Sequence, residues 1–308
     1  QANGTIASIC LTHKNGGLTS YGSKNTSPIR DNLLMQSIAE DNLQYVYPDR
    51  TGASTSSRYS GMTIGKTELI FLIDRAKDCV YYFKVADKNH IHITKRRAFL
   101  KMVSILDNIY TTKPLIEEIE LAELSSELQI GYWSYNYDPS NDCLYICTSS
   151  NSRTAPEGKF LITEIKVDTW KIKQYEITNT TDKYLRTEGN WGMFVTEGYL
   201  LLRGYDAPYD VYKIQITNPA NVVKLKRTNV TNINGVPKFV INGRVYYEYS
   251  YEQLLIANLA TDEIMPPETQ TLFNSSYTMS VTPVRNEPLI YFCDYGTWST
   301  SGWYMMCN

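Results

Sequence analysis

A strand–turn–strand unit that recurs along the chain constrains its fold more than any other feature. Between Gly192 and Arg227 four short apolar runs, Met193–Val195, Tyr199–Leu202, Val211–Ile216 and Val222–Leu225, are separated by turn residues. Runs of this length, rich in β-branched and aromatic residues and bounded by Gly, Pro, Asn and Asp, read as strands of an antiparallel meander. A similar stretch begins at Gly61. The expected second strand of each unit is entered from a tight turn, at Leu69, Leu144, Leu200, Val245 and Leu289. Asn242-Gly243, before Val245, is a strong hairpin signal. Val245 follows Leu200 by 45 residues and Leu289 follows Val245 by 44, the period of a four-stranded propeller blade.

The expected fold is therefore all-β, a β-propeller of five four-stranded blades near 59–98, 130–178, 189–228, 236–269 and 277–308. The wider intervals hold a longer loop, Ser149–Gly158, and an insertion over 99–129 with a partly helical pattern at Ile116–Leu124. A sixth blade inside that insertion is the alternative. Residues 1–58 read as a strand (Thr5–Leu11), an extended loop and a short amphipathic helix from Ile29 to Leu43. The last blade stops after its third strand, so Thr5–Leu11 is expected to complete it, the alternative being that the missing strand lies beyond the end of the sequence. Closure of that kind removes two exposed sheet edges. A chain that begins without Met and stops inside a strand reads as a piece of a longer protein.

Composition narrows the function classes. A net charge of −2 gives no general pull toward nucleic acid or an anionic membrane. No apolar run is long enough for a transmembrane helix, and the N-terminus lacks the pattern of a signal peptide. Six cysteines without a C-x-x-C pair, and only three histidines, argue against a zinc site. Cys143 and Cys147 lie on one face of one strand and read as small buried hydrophobes, which fits folding in a reducing compartment. Asn25, Asn179 and Asn274 stand in glycosylation sequons. Tyrosine is unusual, 25 residues against 8 phenylalanines. It suits strands, and it also suits a recognition surface that needs rigid contact area with a polar tip.

Propeller ligands usually meet the loops that enter the first strand and those that join the second to the third, an argument from fold analogy alone. The entering loops offer Trp133, Asn190 and Trp191. The crossing loops offer Asp74 and Arg75, Arg153, Arg203 and Asp206, Tyr249, and Asp294 with Trp298. Flat aromatics cover the apolar face of a sugar, planar polar groups bond its hydroxyls, and Arg pairs with phosphate or carboxylate. The ligand-binding set is thus Trp133, Asn190, Trp191, Arg203, Asp206, Tyr249, Asp294 and Trp298. Trp133 and Trp191, at matching positions in consecutive blades, could equally pack between blades. No catalytic motif occurs, and neither a catalytic residue, a metal nor a cofactor is expected. Glu188, Asp206, Glu248 and Asp294 are the carboxylates that a glycoside hydrolase on this scaffold would draw on. His90 and His92 share a face of an expected fourth strand.

The repeat style, with Lys84–Ile91 (KVADKNHI) and Glu164–Trp170 (EIKVDTW), and the opening Ala2-Asn3-Gly4-Thr5-Ile6, resemble the propeller platform of receptor-binding proteins from tails of phages that infect Gram-positive bacteria. The resemblance implies a homotrimer on the virion tail, folded in the bacterial cytoplasm and joined to other tail subunits. It implies binding to a host cell-surface carbohydrate, such as wall teichoic acid, with neither nucleic acid nor membrane as partner. A scaffold propeller without a small ligand is the remaining alternative.

Overall fold

The structure is a computed structural model. It describes residues 69–77, 79–97, 116–121, 123–129, 131–151, 153–187, 193–233, 235–250, 253–266, 280–287, 289–294 and 302–307. Every regular element among them is a strand, and the strands form antiparallel meanders.

The first sheet holds β1 (Leu69–Asp74), β2 (Cys79–Val85), β3 (Ile91–Arg97) and β4 (Ile116–Glu120), in that spatial order. Sheet 2 holds β5 (Tyr132–Asp138), β6 (Cys143–Ser149), β8 (Lys159–Lys166) and β9 (Ile172–Thr178). Between β6 and β8 the two-residue strand β7 (Arg153–Thr154) leaves to join sheet 3, as does β10 (Leu185–Arg186) after β9. Sheet 3 is built on β11 (Phe194–Thr196), β12 (Tyr199–Gly204), β13 (Val211–Gln215) and β14 (Val222–Lys224). Sheet 4 holds β16 (Val236–Ile241), β17 (Arg244–Ser250), β18 (Gln253–Asn258) and β19 (Glu263–Met265), with β15 (Lys226–Arg227) added parallel to β19. Sheet 5 holds β20 (Ser280–Pro283), β21 (Leu289–Asp294) and β22 (Gly302–Cys307).

The first strands of neighbouring sheets adjoin. β5 packs against β1 and β11, and β20 against β1 and β16. Sheets 3 and 4 meet through Phe194, Leu201 and Val211 on one side and Val240, Val245 and Tyr247 on the other. The sheets therefore surround a common centre with their first strands innermost, which is the plan of a β-propeller. The apolar residues of alternating strand positions fill the seams. Phe71, Tyr81 and Phe83 meet Leu144 and Ile146 between sheets 1 and 2. Cys147, Phe160 and Ile162 meet Leu200, Leu202 and Ile214 between sheets 2 and 3.

Leu144, Leu200, Val245 and Leu289 lie in or open the second strands of their sheets, in line with the repeat. Leu69 does not. It opens β1, whose contacts with β5 and β20 make it the innermost strand of the described sheet. This one-strand shift moves His92 onto the third strand, with His90 just before it, and makes Ile116–Glu120 the fourth strand, where a helical pattern was expected. It also places Asp74 and Arg75 in the turn between first and second strands, at the opposite end from the crossing loops. The Thr5–Leu11 strand and the 29–43 helix lie outside the described residues. Cys79, Cys143 and Cys147 are free and buried, and burial pushes the Cys143 thiol up to about 12, as suits an inert core residue.

Candidate functional site

The two ends of the ring differ. One carries tight turns. The other carries the longer crossings 150–158 and 205–210 and the connection 179–187, and here sheets 2 and 3 build a distinctive cluster.

On β12 the inner edge is shared: Tyr199–Leu201 pair with β11, while Arg203 and Gly204 pair with β10. β7 adds to the far side of β10. The register puts Arg203 opposite Arg186, and Arg186 opposite Arg153. Directly opposed residues project from the same face of a sheet. Three guanidinium groups thus form a row across three strands. Leu185, on the opposite face, fills the seam between sheets 2 and 3 and anchors β10.

Tyrosines interleave the row. The Arg153 guanidinium lies 4.8 Å from the centre of the Tyr184 ring and 5.1 Å from that of Tyr205. Arg186 lies 5.1 Å from the Tyr205 ring, and Arg203 5.1 Å from the Tyr209 ring. Like charges placed opposite one another on neighbouring strands repel, and ring faces at these distances offset part of that cost. Exposure is graded along the row. Arg203 is buried at 1% and donates to the Ile233 carbonyl, Arg186 is half-buried, and Arg153 is exposed. Tyr184, 42% exposed, is the one large hydrophobic side chain left exposed among the described residues. Tyr209 holds a φ of 59°, a region that bulky residues rarely enter and that concentrates at functional positions.

A single buried amide holds these loops. Asn179, 1% exposed, donates from Nδ2 to the carbonyls of Thr154, Ala155 and Lys183. Its Oδ1 accepts from the Thr181 N–H and hydroxyl. The Tyr205 N–H donates to the Tyr184 carbonyl, tying the third loop to the second. The Asn179 sequon is thereby committed to structure, since its amide nitrogen faces inward.

Of the residues expected to bind ligand, Arg203 and Asp206 belong to this region. Asp206 is exposed and its carbonyl accepts from the Tyr209 N–H. Arg203 is the buried root of the row rather than a surface contact, its guanidinium set against the Tyr209 ring and the Ile233 carbonyl. Trp133 is placed elsewhere: it stacks on Tyr135 at 5.9 Å and meets the edge of Phe83 at 6.5 Å, packed against the core between sheets 1 and 2. Tyr249 falls within β17 and Asp294 ends β21. Asn190, Trp191 and Trp298 lie outside the described residues. Arg153 and Tyr205 stand in expected crossing loops but outside the expected ligand-binding set, and Arg186, Tyr184 and Tyr209 were absent from both, their only sequence signal being an Arg or Tyr next to a turn. Among the described residues no three His, Cys, Asp or Glu side chains gather in a way that could hold a metal ion.

No family model matches the chain, and no curated protein matches it. Solved structures match at low similarity. U3-55K matches with 8% identity over 73% of this chain and 59% of its own, at a TM-score of 0.36. The β-propeller domain of the Trilobed protease from Pyrococcus furiosus matches with 10% identity over 78% of this chain and 66% of its own, at 0.37. A fucose-specific lectin from Aleuria aurantia matches with 8% identity over 78% of this chain and 77% of its own, at 0.39. The chain thus spans less than two thirds of the first two, and similarities this low carry no argument about its activity.

Proposed function

We propose that this chain is a non-catalytic carbohydrate-binding propeller, and that its site is the arginine–tyrosine cluster of Arg153, Arg186, Tyr184, Tyr205 and Tyr209. The observation that carries the reading is the register of Arg203, Arg186 and Arg153 among three tyrosine rings, at the loop-bearing end of the ring. Tyrosine faces suit the C–H face of a sugar, and a row of guanidinium groups suits the phosphates or carboxylates of an anionic glycopolymer. The finer reading follows the resemblance in the repeats: a receptor-binding module of a phage tail, trimeric on the virion with other tail subunits, that recognises a host surface glycan such as wall teichoic acid. The proposed domain plan is a 59–308 propeller preceded by an N-terminal segment.

The test is retention of the protein by Gram-positive cell walls before and after chemical removal of teichoic acid. Retention that disappears with the polymer, and that drops at least about tenfold in Arg153→Ala through loss of a charged hydrogen bond, supports the reading. Retention by neither sample refutes it. Release of sugar during the incubation would replace it with a propeller hydrolase.

A further inference from the structure

The opposite end of the seam between sheets 2 and 3 holds a second, chemically different feature. The tight turns there line a half-open pocket of ≈180 Å³, well below the roughly 300 Å³ at which drug-sized sites begin. Its walls include Tyr145, Glu164 and Tyr175 from sheet 2, and Glu197, Tyr199 and Gln215 from sheet 3. Two carboxylates on separate sheets thus share a small space with three aromatic rings.

Glu164 is fixed by its neighbours. Its Oε2 accepts from the Tyr145 hydroxyl at 3.1 Å and from the Tyr175 hydroxyl at 3.3 Å. The nearest ammonium, on Lys173, stands 4.0 Å from Oε1 and is 68% exposed, so it competes weakly for that oxygen. Glu197 lies on the β11–β12 turn across the cavity. Burial first, and the neighbouring Asp138 second, hold its carboxyl above the usual range, while Lys213 opposes them. Lys213 is itself engaged by Asp262 and the Leu259 carbonyl, 4.6 Å from the Tyr199 ring centre.

We propose that this cavity is a binding site for a small organic ammonium group. Carboxylates supply the counter-charge, and Tyr145 and Tyr175, whose hydroxyls hold Glu164, supply aromatic surface of the kind that attracts an ammonium, while the Tyr199 ring already carries Lys213. The volume admits one such head group and excludes a sugar chain, so the site is distinct from the carbohydrate cluster at the other end.

Titration of the whole chain with tetramethylammonium, choline and methylammonium chlorides, at constant ionic strength and followed by NMR or calorimetry, tests the proposal. 3,3-Dimethylbutan-1-ol serves as the uncharged shape match of choline. Saturable binding of at least one ammonium, with the neutral alcohol at least about tenfold weaker, is expected. Glu164→Gln and Glu197→Gln preserve volume and should each weaken the ammonium about tenfold, with unchanged circular dichroism and melting temperature. Arg153→Ala should leave ammonium binding intact. Absence of saturation by all three salts up to about 100 mM (a Kd beyond that is worth under about 1.4 kcal/mol), equal binding of the alcohol, or full binding by both Gln variants would overturn it.

Discussion

The side-chain amide of Asn136 makes both backbone hydrogen bonds of Val195, accepting from its N–H at 2.9 Å and donating to its carbonyl at 2.7 Å. The two residues belong to the first strands of sheets 2 and 3. Ser134 and Asp138, two positions either side on the same face, extend the contact. Ser134 donates to the Met193 carbonyl at 2.6 Å, and Asp138 accepts from the Thr196 hydroxyl and the Glu197 N–H at 3.0 Å each. A polar ladder of side chains thus substitutes for strand pairing across the seam. Both Asn136 and Val195 are buried, so Asn136→Ala leaves two backbone groups without partners. Each such loss costs about 1–3 kcal/mol. The expected destabilisation is about 2–6 kcal/mol, measured by urea unfolding, with Asn136→Gln failing to restore it because the longer side chain misplaces the amide.

At the tight-turn end of the ring Arg285, in the turn after β20, joins sheet 5 to sheets 1 and 2. Its guanidinium meets Asp142 (Nε at 2.9 Å), Asp74 (Nη1 at 3.1 Å) and Asp168 (Nη2 at 2.8 Å). Its N–H donates to the Ile73 carbonyl at 2.8 Å. The Arg285 and Asp74 side chains are 9% and 4% exposed. Removing the guanidinium therefore strands a buried carboxylate, at a cost of about 3–5 kcal/mol. Arg285→Gln should lower the melting temperature sharply, and adding Asp74→Asn should recover part of the loss.

The same cluster sets an acid limit. Burial pushes the Asp168 carboxyl up, but Arg285 and Lys77 outweigh it and hold the group below its ordinary 3.8. A depressed folded-state value adds stability above the unfolded value, and that contribution is lost as pH falls through the folded one. Stability should drop below about pH 4 for this reason. In Arg285→Gln the drop over that window should be shallower; a slope equal to that of the parent protein would show that other groups control acid unfolding.

Arg153 and Arg203 should respond differently to the same change. Arg153 is exposed, so Arg153→Ala should alter stability by less than about 0.5 kcal/mol while removing carbohydrate retention. Arg203 is buried against Tyr209 and the Ile233 carbonyl, so Arg203→Ala should cost more than about 2 kcal/mol. Retention by wild type should also weaken as salt rises, since exposed charges are screened within about 10 Å at 0.1 M.

Much of the fold was legible because its repeats are local. Leu144, Leu200, Val245 and Leu289 each follow a turn of Gly, Asn, Asp or Pro, and local turn chemistry sets hairpins. β4 was misread because Ile116 and Ile119 are three residues apart, a helical spacing. Its Glu117, Glu118 and Glu120 are exposed on a sheet edge, where charge discourages further pairing. The arginine row was illegible for a different reason. It joins positions 153, 186 and 203 through two-residue strands whose register depends on Asn179, and no periodicity encodes such a contact. Trp133 looked like a ligand platform because it enters a first strand, yet Phe83 and Tyr135 had already claimed its ring.

Gly131 offers a last test, of how tightly the loop end is packed. A Cβ built there would lie 2.5 Å from the Ser150 carbonyl oxygen and 2.6 Å from that of Ser149. Real side chains do not approach backbone so closely, and backbone at the end of β6 has little freedom to retreat, because β5 pairs with it as far as Ser149 and β8 as far as Thr148. Gly131→Ala should therefore cost about 1–3 kcal/mol, the usual penalty for overpacking. Ser150 begins the crossing that carries Arg153, so the displacement should also reach the arginine row. Carbohydrate retention per folded molecule should fall with stability in Gly131→Ala. In Trp133→Ala, by contrast, a comparable loss of stability should leave retention unchanged. Equal retention in both variants would mean that the 150–158 crossing does not position the site.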